Sequence, residues 1–289
     1  MSREKNITIF SSIIYFCLII FLSPLEIQAG GRPFLSSSYW DSGKAEFQTY
    51  HAKIEKYGYT RDAVAKIILV KEPFDKFKRV KSLTAPESIE VIKMNYIQAV
   101  PAGVYEYNQM ASIFFERSSG RILKYSMSSQ DGCGHSYMQY THTGEEHNFI
   151  FHSYFDDEGE VKRTITDSDP ICFYDALPLI LRFRIKEKSP YKIKIFPGLI
   201  RNKFTEPIPY EVNVSTTLLN KETINNVFYE SAYSVVVNNG NQIDRFYFNE
   251  VYPHRLIKWE KNNTDELNLD KSSFTYYWEK IKPGDDLID

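Results

Sequence analysis

The feature that most constrains the fold is a pattern of two consecutive hairpins between Ser129 and Glu160. Residues 136–140 and 148–154 are rich in Tyr, Phe and Ile, which suit a pleated, half-buried strand. A two-residue turn at Gly144-Glu145 joins them in this interpretation, and residues 156–159 predict a second turn. Because a slip of one residue would exchange the two faces of each strand, such a pattern requires an antiparallel sheet in a defined register.

Strand patterns recur through the rest of the chain. Alternating or β-branched runs predict strands at 43–56, 62–71, 89–97, 104–115, 121–127, 191–196, 208–218, 245–248, 256–259 and 274–278. Asn239-Gly240 is a strong hairpin signal, and the polar segment 72–87, with two prolines, predicts a long loop.

One segment, Pro170 to Phe183, has a clear helical signal. Asp169 would be its N-cap and Pro170 its first helical residue, while Pro178 is expected to kink it. An apolar stripe recurs at helical spacing: Tyr174, Leu177, Ile180 and Leu181. We therefore predict a mainly β fold, in which one or two short helices cover the concave face of a large curved antiparallel sheet.

The first 29 residues resemble a secretory signal peptide. Basic Arg3 and Lys5 precede an apolar run over 7–22, and Ala29 offers a small residue for cleavage. The alternative is an uncleaved membrane anchor, since the run is only slightly short for a spanning helix. We expect residues 30–289 to be a single antiparallel β domain without a transmembrane span. The protein would be exported and be periplasmic, associated with the outer envelope, or secreted.

Composition narrows the function classes. A formal net charge of −2 favours neither nucleic acid nor an anionic membrane surface as a partner. Beyond the leader the cysteines are Cys133 and Cys172, which could form a disulfide in an oxidising compartment if their α-carbons approach closely enough.

Two small groups of residues could carry chemistry. His142 and His147 would face each other across the first hairpin and could hold a metal, but no third ligand is evident, so we interpret them as an exposed hairpin tip. Cys133 and His135 could share one face of a strand, which would suit thiolate activation, but a structural cysteine is the simpler interpretation. We assign no catalytic residue, metal ligand or cofactor.

Four stretches resemble an uncharacterised family of secreted bacterial proteins, whose members often carry the label septum formation inhibitor: residues 39–46, Tyr57-Gly58, 130–135 and 153–159. The leader and the strand pattern do not look like the cytoplasmic nucleotide pyrophosphatase that this label implies. At the level of architecture, the long strands followed by a helix also resemble the half-barrel of envelope lipid- and lipoprotein-carrier proteins.

The half-barrel resemblance implies a ligand site between helix and sheet. Tyr174, Leu177, Leu181 and Trp40 would line it. Our first hypothesis is an exported cell-envelope protein that binds a lipid, another apolar or amphipathic ligand, or an envelope protein. The alternatives are a secreted hydrolase or metal-dependent enzyme using Cys133 and His135, and a structural module that exposes aromatic surface.

Overall fold

The computed structural model describes residues 33–84, 86–262 and 264–286. The predicted leader at residues 1–29 lies outside these ranges. Strands make up 59% of the structure and helices 8%, which confirms the mainly β fold.

The described residues contain sixteen strands, one complete α-helix and a helical stretch at residues 33–35. The strands are β1 (Ala45–Lys56), β2 (Tyr59–Asp75), β3 (Val80–Lys81), β4 (Ser88–Pro101), β5 (Glu106–Glu116), β6 (Ile122–Gln130), β7 (His135–Thr143), β8 (Glu146–Ser153), β9 (Glu160–Thr166), β10 (Ile171–Phe173), β11 (Tyr191–Phe196), β12 (Tyr210–Ile224), β13 (Val227–Asn238), β14 (Ile243–Asn249), β15 (Leu256–Lys261) and β16 (Asp265–Thr275). Helix α1 is Leu177–Phe183, and 3-10 helices span Ser38–Ser42, Tyr174–Ala176 and Tyr277–Glu279.

All the strands belong to one open sheet. Its order is β10-β11-β12-β13-β14-β15-β16-β1-β2-β4-β5-β6-β7-β8-β9, with the short β3 paired to β2. Neighbours pair antiparallel, except that β10 runs parallel to β11. The first and last strands of the described residues, β1 and β16, pair with each other in the middle of the sheet.

The sheet wraps around α1. Side chains from one face of strands throughout the sheet enter a single hydrophobic cluster that also contains the helix. A flat sheet of this width could not bring its outer strands to one short helix, so the sheet must curve. All seven residues of α1 are buried, which is the pattern of a helix enclosed on every side.

The helix starts later than the sequence predicts. Residues 171–173 form β10 and pair with β11, so α1 begins at Leu177 and not at Pro170. Pro178 falls in the first turn, where its missing N–H costs no hydrogen bond, so it does not break the helix. Pairing with a distant strand has overridden the local signal at Asp169-Pro170.

The structure confirms one turn prediction and corrects one loop prediction. The Gly144-Glu145 turn is confirmed, since Thr143 pairs with Glu146 and His142 with His147. The predicted loop over 72–87 is wrong in its first part, because β2 continues through Pro73 to Asp75, with the inward Phe74 fully buried.

Candidate functional site

A polar pocket opens at the end of the curved sheet where β1, β4 and β15 finish. Its volume is about 330 Å³, at the lower limit of typical small-molecule sites. It is lined by Ile54, Glu55, Lys56, Gln98, Val100, Gln109, Tyr174, Asp175, Gly198, Ile200, Arg201, Gln242, Lys261, Asn262, Thr264 and Asp265. Most of these side chains are charged or carry amides, in contrast to the apolar interior beside them.

Asp175 is fixed at the inner wall of the pocket by three donors. Its Oδ2 accepts hydrogen bonds from Tyr125 Oη at 2.7 Å, from the Leu199 amide at 2.5 Å and from the Ile200 amide at 3.3 Å. Burial first, and then the Asp175 carboxylate, raise the pKa of Tyr125 well above its usual value, so its hydroxyl remains a donor. A Cβ on Gly198 would lie 2.8 Å from Asp175 Oδ1, so this close approach requires glycine.

Lys261 reaches the pocket from the end of β15. Its Nζ donates to Tyr96 Oη at 3.2 Å and lies 4.2 Å from the ring centroid of Trp259. Burial acts to lower the pKa of Lys261, but Tyr96 and the carboxylates of Asp265 and Asp175 outweigh it and raise the pKa. The ammonium therefore stays charged while resting on aromatic rings.

Lys56 and Arg201 bring two further positive charges to the same pocket. Lys56 Nζ lies 4.1 Å from the ring centroid of Tyr107. Burial lowers the pKa of Lys56, and the charge of Arg201 lowers it further, against the opposing effect of nearby acidic groups. The Arg201 guanidinium donates to Thr205 Oγ1 at 2.6 Å. Within the described residues none of Lys56, Arg201 and Lys261 forms an ion pair.

Two of the three carboxylates in the pocket already accept hydrogen bonds from the protein. The pocket is formally neutral, since Glu55, Asp175 and Asp265 balance the three cations. However, Asp175 Oδ2 accepts three hydrogen bonds, and Asp265 Oδ1 accepts one from the Glu55 amide at 2.8 Å. The ammonium and guanidinium groups of the three cations retain donors for an anionic group.

Of the four predicted ligand-binding residues, Tyr174 alone lines the polar pocket described above. Its hydroxyl accepts a hydrogen bond from Gln242 Nε2 at 3.2 Å. Trp40, Leu177 and Leu181 are each 0% exposed. Because all three belong to the single hydrophobic cluster that encloses the helix, these side chains are core, and the predicted apolar site beneath the helix is filled.

The predicted disulfide is not formed. Cys133 is an exposed free thiol and Cys172 a buried one. Cys133 lies in the turn between β6 and β7, where its amide and that of Gly134 donate to Asp131 Oδ1 at 2.6 and 3.1 Å. Cys172 lies in β10, enclosed by the core, and burial raises the pKa of its thiol to about 12.

The enzyme hypothesis receives no geometric support from the described residues. No hydrogen bond joins the Cys133 thiol to His135, which is itself exposed at the start of β7. The same residues contain no group of three or more His, Cys, Asp or Glu side chains placed to hold a metal ion.

The two paired histidines are not the exposed hairpin tip that the sequence suggests. Their ring centroids are 4.9 Å apart, and His147 is only 2% exposed. The two ring nitrogens of His147 lie 3.0 Å from Tyr140 Oη and 3.3 Å from the Asp167 carbonyl oxygen. The segment that leads into β10 covers the hairpin end, which the pattern of one hairpin cannot reveal.

Sequence reasoning missed most of the pocket. The three cations are far apart in the chain, and no motif links them. One signal was available for Asp175, since it is the only acidic residue in the otherwise apolar run from 171 to 181. A charged side chain in such a run must find partners inside the fold, which is what the structure shows.

Comparison of the chain with protein-family models, curated proteins and solved structures found no match. Among the described residues there is no helix of sufficient length and apolar character to span a membrane. The fold and the pocket define a mainly β protein with an enclosed helix and a polar cavity at one end of its sheet.

Proposed function

We propose that the protein is an exported cell-envelope protein that binds a small organic anion in the polar pocket. Export is proposed from the basic and apolar leader, and binding from the pocket. The observation that carries the proposal is that Lys56, Arg201 and Lys261 line one cavity without an ion-pair partner in the described residues.

Two largely buried cations elsewhere in this structure have carboxylate partners. Arg182 pairs with Glu46, and Lys93 pairs with Glu72 at 2.9 Å. Removing a charge from water is costly unless it is paired. Lys56 and Lys261 are partly buried without an ion pair among the described residues, and exposed Arg201 lines the same cavity, so a ligand that supplies negative charge would satisfy all three.

This proposal replaces the apolar or amphipathic ligand of the sequence hypothesis with a hydrophilic one. The change rests on the filled core around α1 and on the charged and amide lining of the cavity. A carboxylate or a phosphate on a compact polar molecule suits both the size and the chemistry of the site.

Titration of the chain from Gly30 onward with a panel of anions tests the proposal. Glucuronate, gluconate, citrate and inorganic phosphate would be titrated by calorimetry, and at least one should bind with an affinity that falls as salt is raised. Native mass spectrometry of protein purified from its own cells without detergent would reveal a co-purified anion.

A pair of variants separates the pocket from the general surface. Lys56→Met with Lys261→Met should abolish anion binding, whereas Lys53→Met should leave it unchanged. Lys53 is on the same strand as Lys56 but is exposed and outside the pocket. The proposal would be overturned if no anion binds. It would also be overturned if Lys53→Met loses as much anion affinity as the double variant does.

A further inference from the structure

A cluster of three tyrosines lies beside the pocket. Tyr57 Oη is hydrogen-bonded to Tyr107 Oη, and Tyr105 Oη donates to Tyr57 Oη at 3.4 Å. The rings of Tyr105 and Tyr107 are 5.6 Å apart, and Lys56 joins the cluster to the pocket through its contact with Tyr107. Tyr107 is buried, whereas Tyr57 is 62% exposed, so the cluster presents an anchored aromatic ring to solvent.

The backbone at Tyr57 is in an unfavourable conformation for this residue. Tyr57 and Gly58 form the two-residue turn between Lys56 and Tyr59, with φ values of +56° and +74°. A turn with two positive φ values favours Asn, Asp or Gly at its first position, and a bulky residue there is an outlier. Such strain is found at functional sites, where a side chain is held for a purpose other than stability.

The lining of the pocket complements a molecule with several hydroxyl groups. Four amide side chains face it, Gln98, Gln109, Gln242 and Asn262, together with the carboxylates already described. An amide can donate and accept hydrogen bonds, as a hydroxyl group can. A sugar ring combines such hydroxyls with an apolar C–H face that packs on an aromatic ring.

These observations together indicate one class of ligand. Resting on the proposed anion-binding function, we propose that the ligand is an acidic saccharide: its anionic group contacts Lys56, Arg201 and Lys261, its hydroxyls contact the amides, and its ring face packs on Tyr57. An aromatic carboxylate would use the tyrosine and the cations but has no hydroxyl groups to offer to the four amides, three of which already make at least one hydrogen bond within the protein.

Four probes distinguish the parts of this proposal. Glucuronate has a ring and a carboxylate, gluconate has the carboxylate and hydroxyls without a ring, glucose has the ring without charge, and benzoate is an aromatic carboxylate. We expect glucuronate to bind at least tenfold more tightly than the other three in calorimetric titrations.

Equal binding of glucuronate and gluconate, or a preference for benzoate, would overturn the saccharide proposal while anion binding stands. If neither glucuronate nor gluconate binds, and citrate and phosphate also fail, the proposed function itself fails.

The variant Tyr57→Asn tests the role of the strained tyrosine. Asn favours the turn, so the melting temperature should not fall, yet the preference for glucuronate over gluconate should decrease at least tenfold. Tyr59→Asn, which removes another exposed tyrosine two residues away, should keep that preference. An unchanged preference in Tyr57→Asn, or a lower melting temperature without a change in preference, would show that Tyr57 has only a structural role.

Discussion

Arg182 and Glu46 form a bidentate ion pair that links the enclosed helix to the central strand β1. Arg182 Nη1 and Nη2 lie 2.9 Å from Glu46 Oε1 and Oε2, and the side chains are 1% and 0% exposed. Arg182 also donates twice to the Pro253 carbonyl oxygen, at 2.9 and 2.7 Å. A buried pair with its hydrogen bonds satisfied in this way determines how the helix is oriented in the sheet.

Removal of one member of this pair should be strongly destabilising. We expect Glu46→Leu to lower the free energy of unfolding by about 3–5 kcal/mol, because an unpaired guanidinium remains in the core. The double variant Glu46→Leu with Arg182→Met should recover part of that loss. Urea denaturation measures the free energy of unfolding of both variants. If Glu46→Leu lowers it by less than about 1 kcal/mol, as expected for an exposed ion pair, the buried pair is not strongly stabilising.

Leu177 should behave as a core residue and not as part of a ligand lid. Its side chain is 0% exposed, so Leu177→Ala should lower the free energy of unfolding by about 2–5 kcal/mol. Anion binding by the folded protein should not change. Leu218→Ala, at a position 48% exposed, is a control that should stay within about 0.5 kcal/mol. Altered binding with little loss of stability would restore the lid interpretation.

Acidification should destabilise the protein through His142. Burial first, and then His147, Arg121 and Arg79, lower the pKa of His142 to about 4 from its ordinary value of 6.5. Between these values the unfolded chain binds more protons than the folded one, so stability is lost as the pH falls from about 6.5 to about 4. The urea midpoint should fall less over this range in His142→Gln than in the parent. His135→Gln is the control. If it reduces the fall in the urea midpoint as much as His142→Gln does, the effect does not arise at His142.

The two cysteines should differ in reactivity. Exposed Cys133 should be alkylated rapidly by iodoacetamide in the native protein, whereas Cys172 should react only after unfolding, because it is buried and its pKa is raised to about 12. Peptide mapping by mass spectrometry identifies each site. A Cys133–Cys172 peptide in the non-reduced digest would instead support the disulfide that the sequence suggested.

The elements best predicted from the sequence are those defined by local pattern. Alternation with a period of two indicated most of the strands, and Gly144 identified the turn that pairs His142 with His147. The start of the helix was wrong because β10 obtains its hydrogen bonds from β11, about twenty residues further along the chain. The burial of His147 was missed because its cover comes from the segment after β9.

By itself, then, the sequence determined the fold class, since side-chain alternation and turn residues act over a few neighbouring positions. It also indicated a leader, which lies outside the described residues. Only the tertiary structure decided that the space around α1 is filled and that Lys56, Arg201 and Lys261 share one cavity. The positions of these cations depend on which strands become neighbours when the sheet curves. That choice is made by the packing of the whole core, and no local pattern at residues 56, 201 or 261 records it.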